Sequence, residues 1–249
     1  MSLRDEIETY GRVKVSTDTC EIETWDTIIF PKVIRKRETE LIISQVEKVK
    51  PKRILDFGCG PGWLSKLFSS IGYSVVGIDA SSSLIRSASK SSSELSRFIV
   101  GDCTTLPFKD NAFDFIIGIS IFHHLEAEAA FHECHRVSTD SATLFLMEPN
   151  KLNPLAALGR KITNVQTESE KPFYPRRLVN TIAKTGWTIR EIRYLFPYSF
   201  GLSYISKLVG NKQAVNNLCT PIELSERLLE RVPCLNQLCW TIVIRATKQ

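Results

Sequence analysis

Residues 54–63 read ILDFGCGPGW, an apolar run holding one acid, Asp56, then glycines at alternate positions, Gly58, Gly60 and Gly62, then Trp63. Asp79 closes a second apolar run, SVVGID, and Asp102 follows a third, RFIVG. Glycines at that density allow a tight turn and bring the backbone against a ligand with no Cβ atoms between. Carboxylates beside such a turn accept hydrogen bonds from amino and hydroxyl groups. The spacing disfavours a dinucleotide: G-x-G-x-x-G puts its third glycine where helix and strand meet beside a pyrophosphate, and Trp63 stands there.

The histidines are the second concentration of chemistry. His123, His124, His132 and His135 fall within thirteen residues, beside Glu126, Glu128, Glu133 and Cys134. His132 and His135 have the i,i+3 spacing that two metal ligands on one helix can use, but Glu133 and Arg136 have the spacing of an ordinary helical ion pair, and no metal is expected. His123 and His124 follow an apolar, strand-like run. An imidazole with an unperturbed pKa of about 6.5 suits either of them to act as a general base.

The elements that must position these groups follow from periodicity. Strands are expected over 53–57, 74–79, 98–101, 113–119 and 143–148, with helices near 63–70, 83–89 and 126–137. That alternation is the pattern of a parallel sheet wrapped by helices. Pro31 opens an earlier helix over 31–49, which packs on the sheet through Val33, Ile34, Leu41, Ile42 and Val46. Pro149, Asn150, Asn153 and Pro154 then break the pattern and begin a loop or lid. A helix over 178–185, ended by Gly186, leads to antiparallel strands over 187–195 and 239–246. Between these strands, residues 196–238 are too long for a hairpin connection and read as an inserted helical cap. The serine-rich stretch 81–96 reads as a helix capped by Ser81 or Ser82 and a solvated loop. Each acid has a structural alternative: Asp56 a turn cap, Asp79 a helix cap, Asp102 an Asx turn. Asp114, which begins its strand, is expected to be structural.

Composition sets bounds. A chain of 249 residues with 43% hydrophobic and 24% charged residues can bury a self-sufficient core, and no apolar run reaches the roughly 18 residues of a membrane span. The net charge of +5 comes from Lys and Arg spread along the chain in short clusters such as Arg35, Lys36, Arg37 and Arg176, Arg177, a pattern that does not indicate nucleic acid. Seven cysteines without a repeated CxxC pair fit reduced thiols, and a start charged from Arg4 onward lacks an apolar signal core, so a cytoplasmic location is expected.

Five blocks in order, ILDFGCGPG (54–62), VVGIDAS (75–81), GDCTTLPFKDNAFDFIIG (101–118), FHHLE (122–126) and ECHRV (133–137), resemble the class I S-adenosylmethionine-dependent methyltransferases. The resemblance is to their small-molecule, type 11 branch, which includes the ubiquinone and menaquinone methyltransferases. It covers about residues 52–150, with a weaker echo at Gly186 and Trp187. It implies an α/β Rossmann-like fold, a doubly wound, seven-stranded, mostly parallel sheet, with the helical cap (196–238) inserted before the last strand. Residues 1–50 would form an N-terminal helical segment packing on the core, 51–150 the S-adenosylmethionine-binding core, and 151–249 the lid, last two strands and cap of the same domain.

The resemblance also implies roles. Gly58, Cys59, Gly60 and Gly62 would lie along the methionine portion of the cofactor, Asp56 would accept from its ammonium, and Asp79 would take both ribose hydroxyls. Asp102 and Cys103 would meet the adenine, Ala80 one of its faces, and Ile119 the cofactor from the fourth strand. His123 or His124 would be the base where the acceptor needs one. The product would be S-adenosylhomocysteine.

The acceptor loop GISIF (118–122) lacks the Asn/Asp-Pro-Pro-aromatic motif of nucleic-acid amino methyltransferases, so a small-molecule acceptor and no nucleic acid are expected. The pocket should come from the variable parts: Tyr10, Trp25, the lid and the cap, with Phe173, Tyr174, Tyr194, Phe196, Tyr198, Phe200, Tyr204 and Arg176, Arg177, Arg190, Arg193. These favour a hydrophobic acceptor, isoprenoid, lipid-like or aromatic, and weak peripheral membrane contact through the cap. The alternatives are a non-catalytic cofactor-binding module, an RNA or protein methyltransferase, or an aminopropyl transferase, whose acidic amine pocket is not evident.

Overall fold

The computed structural model describes residues 31–90, 92–155, 171–198 and 219–249. Seven strands form one sheet: β1 (Arg53–Phe57), β2 (Ser74–Asp79), β3 (Ser96–Val100), β4 (Phe113–Ile119), β5 (Ser138–Pro149), β6 (Trp187–Leu195) and β7 (Thr241–Lys248). Their order is β3-β2-β1-β4-β5-β7-β6. The first five are parallel, and β7 runs antiparallel between β5 and β6. The helices are α1 (Pro31–Val49), α2 (Trp63–Ser70), α3 (Ser82–Ser89), α4 (Ala127–Val137), α5 (Pro175–Lys184) and α6 (Cys219–Leu229).

The central strands are apolar on both faces because both are covered, and their side chains sort with period two. Ile54, Phe115, Ile117, Phe145, Met147 and Val243 face Ile34, Ile42 and Val46 of α1 and Leu64 and Phe68 of α2. Leu55, Phe57, Ile116, Leu144, Leu146, Ile242 and Ile244 share the opposite cluster with Phe131 and Cys134 of α4 and Leu178 and Ile182 of α5. Each such fully buried side chain is worth about 1.5–3 kcal/mol. Chain order reverses at β1, whose neighbours are β2 and β4, and the crevice at the carboxyl ends there is where open α/β sheets bind ligands.

Several boundaries differ from the sequence reading. β3 runs two residues earlier than expected at its start, because Ser96 is buried and pairs with Val75. β5 begins at Ser138, directly after α4, its early pairing interrupted by a register shift opposite Phe113 and Phe115. Pro175 is already the first residue of α5, a position where its missing N–H is harmless. The last strand starts at Thr241, two residues later than expected, and ends at Lys248, after a 3-10 turn over 236–238. Ser81 caps α3, its hydroxyl accepting from the Leu84 N–H. Asp114 is structural, accepting the Lys52 and Arg53 amides.

The described end of the expected cap is helical, and α6 is tied to α1 through Arg37. That guanidinium is 6% exposed, reaches Glu226 at 3.1 Å and both oxygens of Glu230 at 2.7 and 2.8 Å, and lies 4.8 Å over the Phe196 ring. Glu230 also accepts the Phe196 amide and Glu226 the Tyr198 amide. Arg37 therefore leaves the basic surface cluster expected from the sequence, and Phe196 serves as core rather than as pocket wall. Tyr10, Trp25, Phe200, Tyr204, residues 156–170 of the lid and 199–218 of the cap lie outside the described residues.

Candidate functional site

The turn after β1 crosses the crevice. Gly58, Gly60 and Gly62 all have left-handed φ, 70°, 53° and 78°. Gly58 has a second reason to be glycine: a Cβ there would stand 2.4 Å from the Ile121 side chain, so the turns after β1 and β4 touch. Gly60 is the opposite case, since a Cβ there would meet nothing within 4 Å. The backbone at Gly60 thus borders open space at the carboxyl edge of the sheet.

The two acids of this crevice are placed differently. Asp56 is 4% exposed, and its Oδ2 accepts both the Ser65 N–H (3.1 Å) and the Ser65 hydroxyl (2.7 Å), so it caps the first turn of α2. Its Oδ1 has no partner among the described residues. Burial pushes this carboxyl up to about 7; the two Ser65 hydrogen bonds oppose the shift and the charge of Asp79 adds to it. Asp79 spans the crevice mouth: Oδ2 accepts the Gly60 N–H and Oδ1 the Ser81 N–H, both at 2.8 Å. Burial raises its pKa also, against those two amides. Neither carboxyl pairs with a Lys or Arg among the described residues. A buried acid with one open oxygen beside a half-buried one, with no cation paired to either among the described residues, makes a site that favours a positively charged, donor-rich ligand.

The remaining residues expected around the ligand are dispersed by role. Asp102 is exposed and forms an Asx turn, its Oδ1 accepting the Thr104 N–H at 2.7 Å and hydroxyl at 2.8 Å, with Oδ2 open. Ala80 is partly exposed beside Asp79, and Ile119 partly buried at the end of β4. Cys59 and Cys103 are 5% exposed, and burial pushes the Cys103 thiol up to about 12 and Cys59 higher, so both stay protonated and serve as small walls.

The acceptor loop is a 3-10 turn over Phe122–His124. Phe122 stacks between Phe57 and Phe131, at 4.8 and 4.4 Å, pinning the turn to the sheet. Sequence reasoning missed what holds its backbone. Glu148, 1% exposed near the end of β5, accepts the Ile121 and Phe122 amides with Oε1, both at 2.9 Å. Its Oε2 meets the His123 amide at 3.2 Å and His123 Nδ1 at 2.8 Å. The available signal was an acid inside the otherwise apolar run LFLMEP. His123 is 6% exposed, and the His124 ring lies 3.9 Å from it, centroid to centroid. Farther along, the His135 ring stands edge-on to Trp187, and Glu133 pairs with Arg136. Among the described residues no three His, Cys, Asp or Glu side chains are grouped to hold a metal ion.

Residues 55–146 match the family model described as a methyltransferase domain. Over those residues the chain resembles the class I methyltransferases. Its sheet order is the one expected for that class. Over 114 residues it is 31% identical to the demethylmenaquinone methyltransferase of Renibacterium salmoninarum, covering 45% of this chain and 48% of that one. Over 82 residues it is 33% identical to the malonyl-[acyl-carrier protein] O-methyltransferase of Buchnera aphidicola, a third of each chain. The match thus spans about a third to a half of these relatives. Among solved structures, the cyclase SpnF superposes with a TM-score of 0.61 at 18% identity, over 85% of this chain and 80% of that one, a likeness of fold. The cofactor of the methyltransferase domain, S-adenosylmethionine, carries an ammonium and a sulfonium, and the cation-free pair Asp56 and Asp79 beside the open backbone of Gly60 fits it.

Proposed function

We propose that the protein transfers the methyl group of S-adenosylmethionine to a small hydrophobic acceptor. The observation that carries this reading is the pair of buried Asp56 and half-buried Asp79, without a cationic side chain among the described residues, at the reversal point of the sheet. In this reading Asp56 Oδ1 takes the ammonium of the amino-acid end, and Asp79, fixed by the Gly60 and Ser81 amides, uses its remaining lone pairs for the ribose hydroxyls. Asp102 Oδ2 and the Cys103 backbone meet the adenine, and Ile119 and Ala80 line it. The cofactor supplies an activated methyl on sulfonium, so the chain's own work is to position the acceptor and exclude water.

A hydrophobic acceptor is supported by exposed Tyr174, near Lys171 whose amide donates to the His123 carbonyl, and by the name of the demethylmenaquinone methyltransferases. Weak peripheral contact of the cap with a membrane, in a cytoplasmic protein, is supported by Leu224 and Leu228 on α6 and Val232 and Leu235 in the turns after it, each at least 40% exposed. Among the described residues no helix is long and apolar enough to cross a membrane.

The test is turnover. Purified protein given S-adenosylmethionine and a panel that includes demethylmenaquinone and hydroxylated aromatics should release S-adenosylhomocysteine with at least one acceptor. Tight cofactor binding with no release across the panel would favour the non-catalytic binding module.

A further inference from the structure

Glu148 does more than close a turn. An ionised carboxylate can only accept hydrogen bonds, and this one already takes three backbone amides, from Ile121, Phe122 and His123. Its fourth contact, 2.8 Å to His123 Nδ1, therefore requires a proton on Nδ1. A neutral imidazole protonated there has its acceptor lone pair on Nε2. Nε2 has no hydrogen-bond partner among the described residues, although the residue is 94% buried, its exposure being 6%. A buried acceptor left unmet is unfavourable unless a ligand meets it. The other groups against His123 are the His124 ring and the Lys171 amide, which donates to the His123 carbonyl. Among the described residues no Lys, Arg or second acid pairs with the His123 ring.

We propose that Glu148 is a positioning residue that holds His123 as the Nδ1–H tautomer, so that Nε2 takes the proton of the methyl acceptor. The inference rests on the methyltransferase reading and narrows it to acceptors that lose a proton on methylation, such as a hydroxyl or an enol. The acceptor's X–H bond breaks with its proton going to Nε2, and the X electron pair forms the X–CH3 bond. The S–CH3 bond breaks with its pair left on sulfur. The imidazolium is held by the Glu148 carboxylate and later gives its proton to water.

Long-range 1H–15N spectra of the ring nitrogens test this on the full, 15N-labelled chain, alone and with S-adenosylhomocysteine. The chain has four histidines, and H123Q assigns the His123 signals by removing them. The expected result is a neutral His123 with a protonated Nδ1 and a pyridine-type Nε2, a pattern that E148Q shifts toward Nε2–H. A proton on Nε2 in the parent overturns the proposal, as does an unchanged pattern in folded E148Q. The parent spectrum decides even if E148Q fails to fold. S-adenosylhomocysteine that perturbs the spectrum while His123 carries its proton on Nε2 sinks this inference alone; no perturbation and no binding would sink the methyltransferase reading.

Discussion

Replacing Asp56 by Asn separates stability from binding, because the carboxyl is poorly placed for the empty protein. A carboxyl that titrates at about 7 instead of 3.8 is disfavoured in its charged form by about 4 kcal/mol, at about 1.36 kcal/mol per pH unit. The folded state holds the extra proton between about pH 4 and 7. Its contribution to stability is whole below pH 4 and is lost as the pH rises through 7. Both Ser65 hydrogen bonds go to Oδ2, so an Asn with its oxygen there keeps them and sets its amide where Oδ1 has no partner. That unmatched amide returns about 1–3 kcal/mol. The net gain at pH 8 is about 2 kcal/mol, which for a chain of this size raises Tm by about 4–8 °C. At pH 4 the parent carries no such penalty and the amide cost remains, so the variant is there the less stable by about 1–3 kcal/mol. Binding moves the other way: losing one charge-assisted hydrogen bond to the ammonium is worth about 1.5–3 kcal/mol, or about 10- to 150-fold in Kd. Thermal melts at pH 4 and 8, with calorimetric titration of S-adenosylhomocysteine, check both halves. A variant less stable than the parent at pH 8, or one that binds as tightly, would refute the reasoning.

Gly60→Ala and Gly58→Ala should fail differently. Both put a side chain at left-handed φ, at about 1–2 kcal/mol, but only at Gly58 does the new methyl strike Ile121, adding about 1–3 kcal/mol of overpacking. Melts should show G58A much the less stable, whereas G60A folds and weakens cofactor binding. Arg37→Met removes the guanidinium that pairs with buried Glu226 and half-buried Glu230 and should destabilise by about 3–5 kcal/mol, read as a lower urea midpoint and earlier proteolysis around α6. A midpoint unchanged from the parent would show that the network does not hold the cap.

The central strands and their helices were legible because their two periodicities are strong: β1, β2, β4 and α2 fall where the apolar pattern puts them. Boundaries slipped where tertiary pairing overrode local pattern, as at Ser96, drawn into β3 opposite Val75, and Ser138, which extends β5 through polar residues. The Asp79 and Asp56 positions were readable from acids at strand ends. Their partners were not: that Ser65 caps onto Asp56, or that Gly60 donates to Asp79, depends on how α2 docks. Glu148 escaped notice because its role is made by distance in sequence, 25 residues from His123, and no local spacing announces it. The ion network of Arg37 is equally non-local, joining a residue near the start of the described chain to two near its end.

Isothermal titration of the full chain with S-adenosylmethionine, with NAD as control, tests whether the crevice at Asp56 and Asp79 holds this cofactor. Saturable binding at about one molecule per chain is expected, abolished or greatly weakened in Asp79→Ala, with no heat from NAD. Absence of heat with S-adenosylmethionine and S-adenosylhomocysteine, or saturation by the nicotinamide nucleotide in their place, would contradict it.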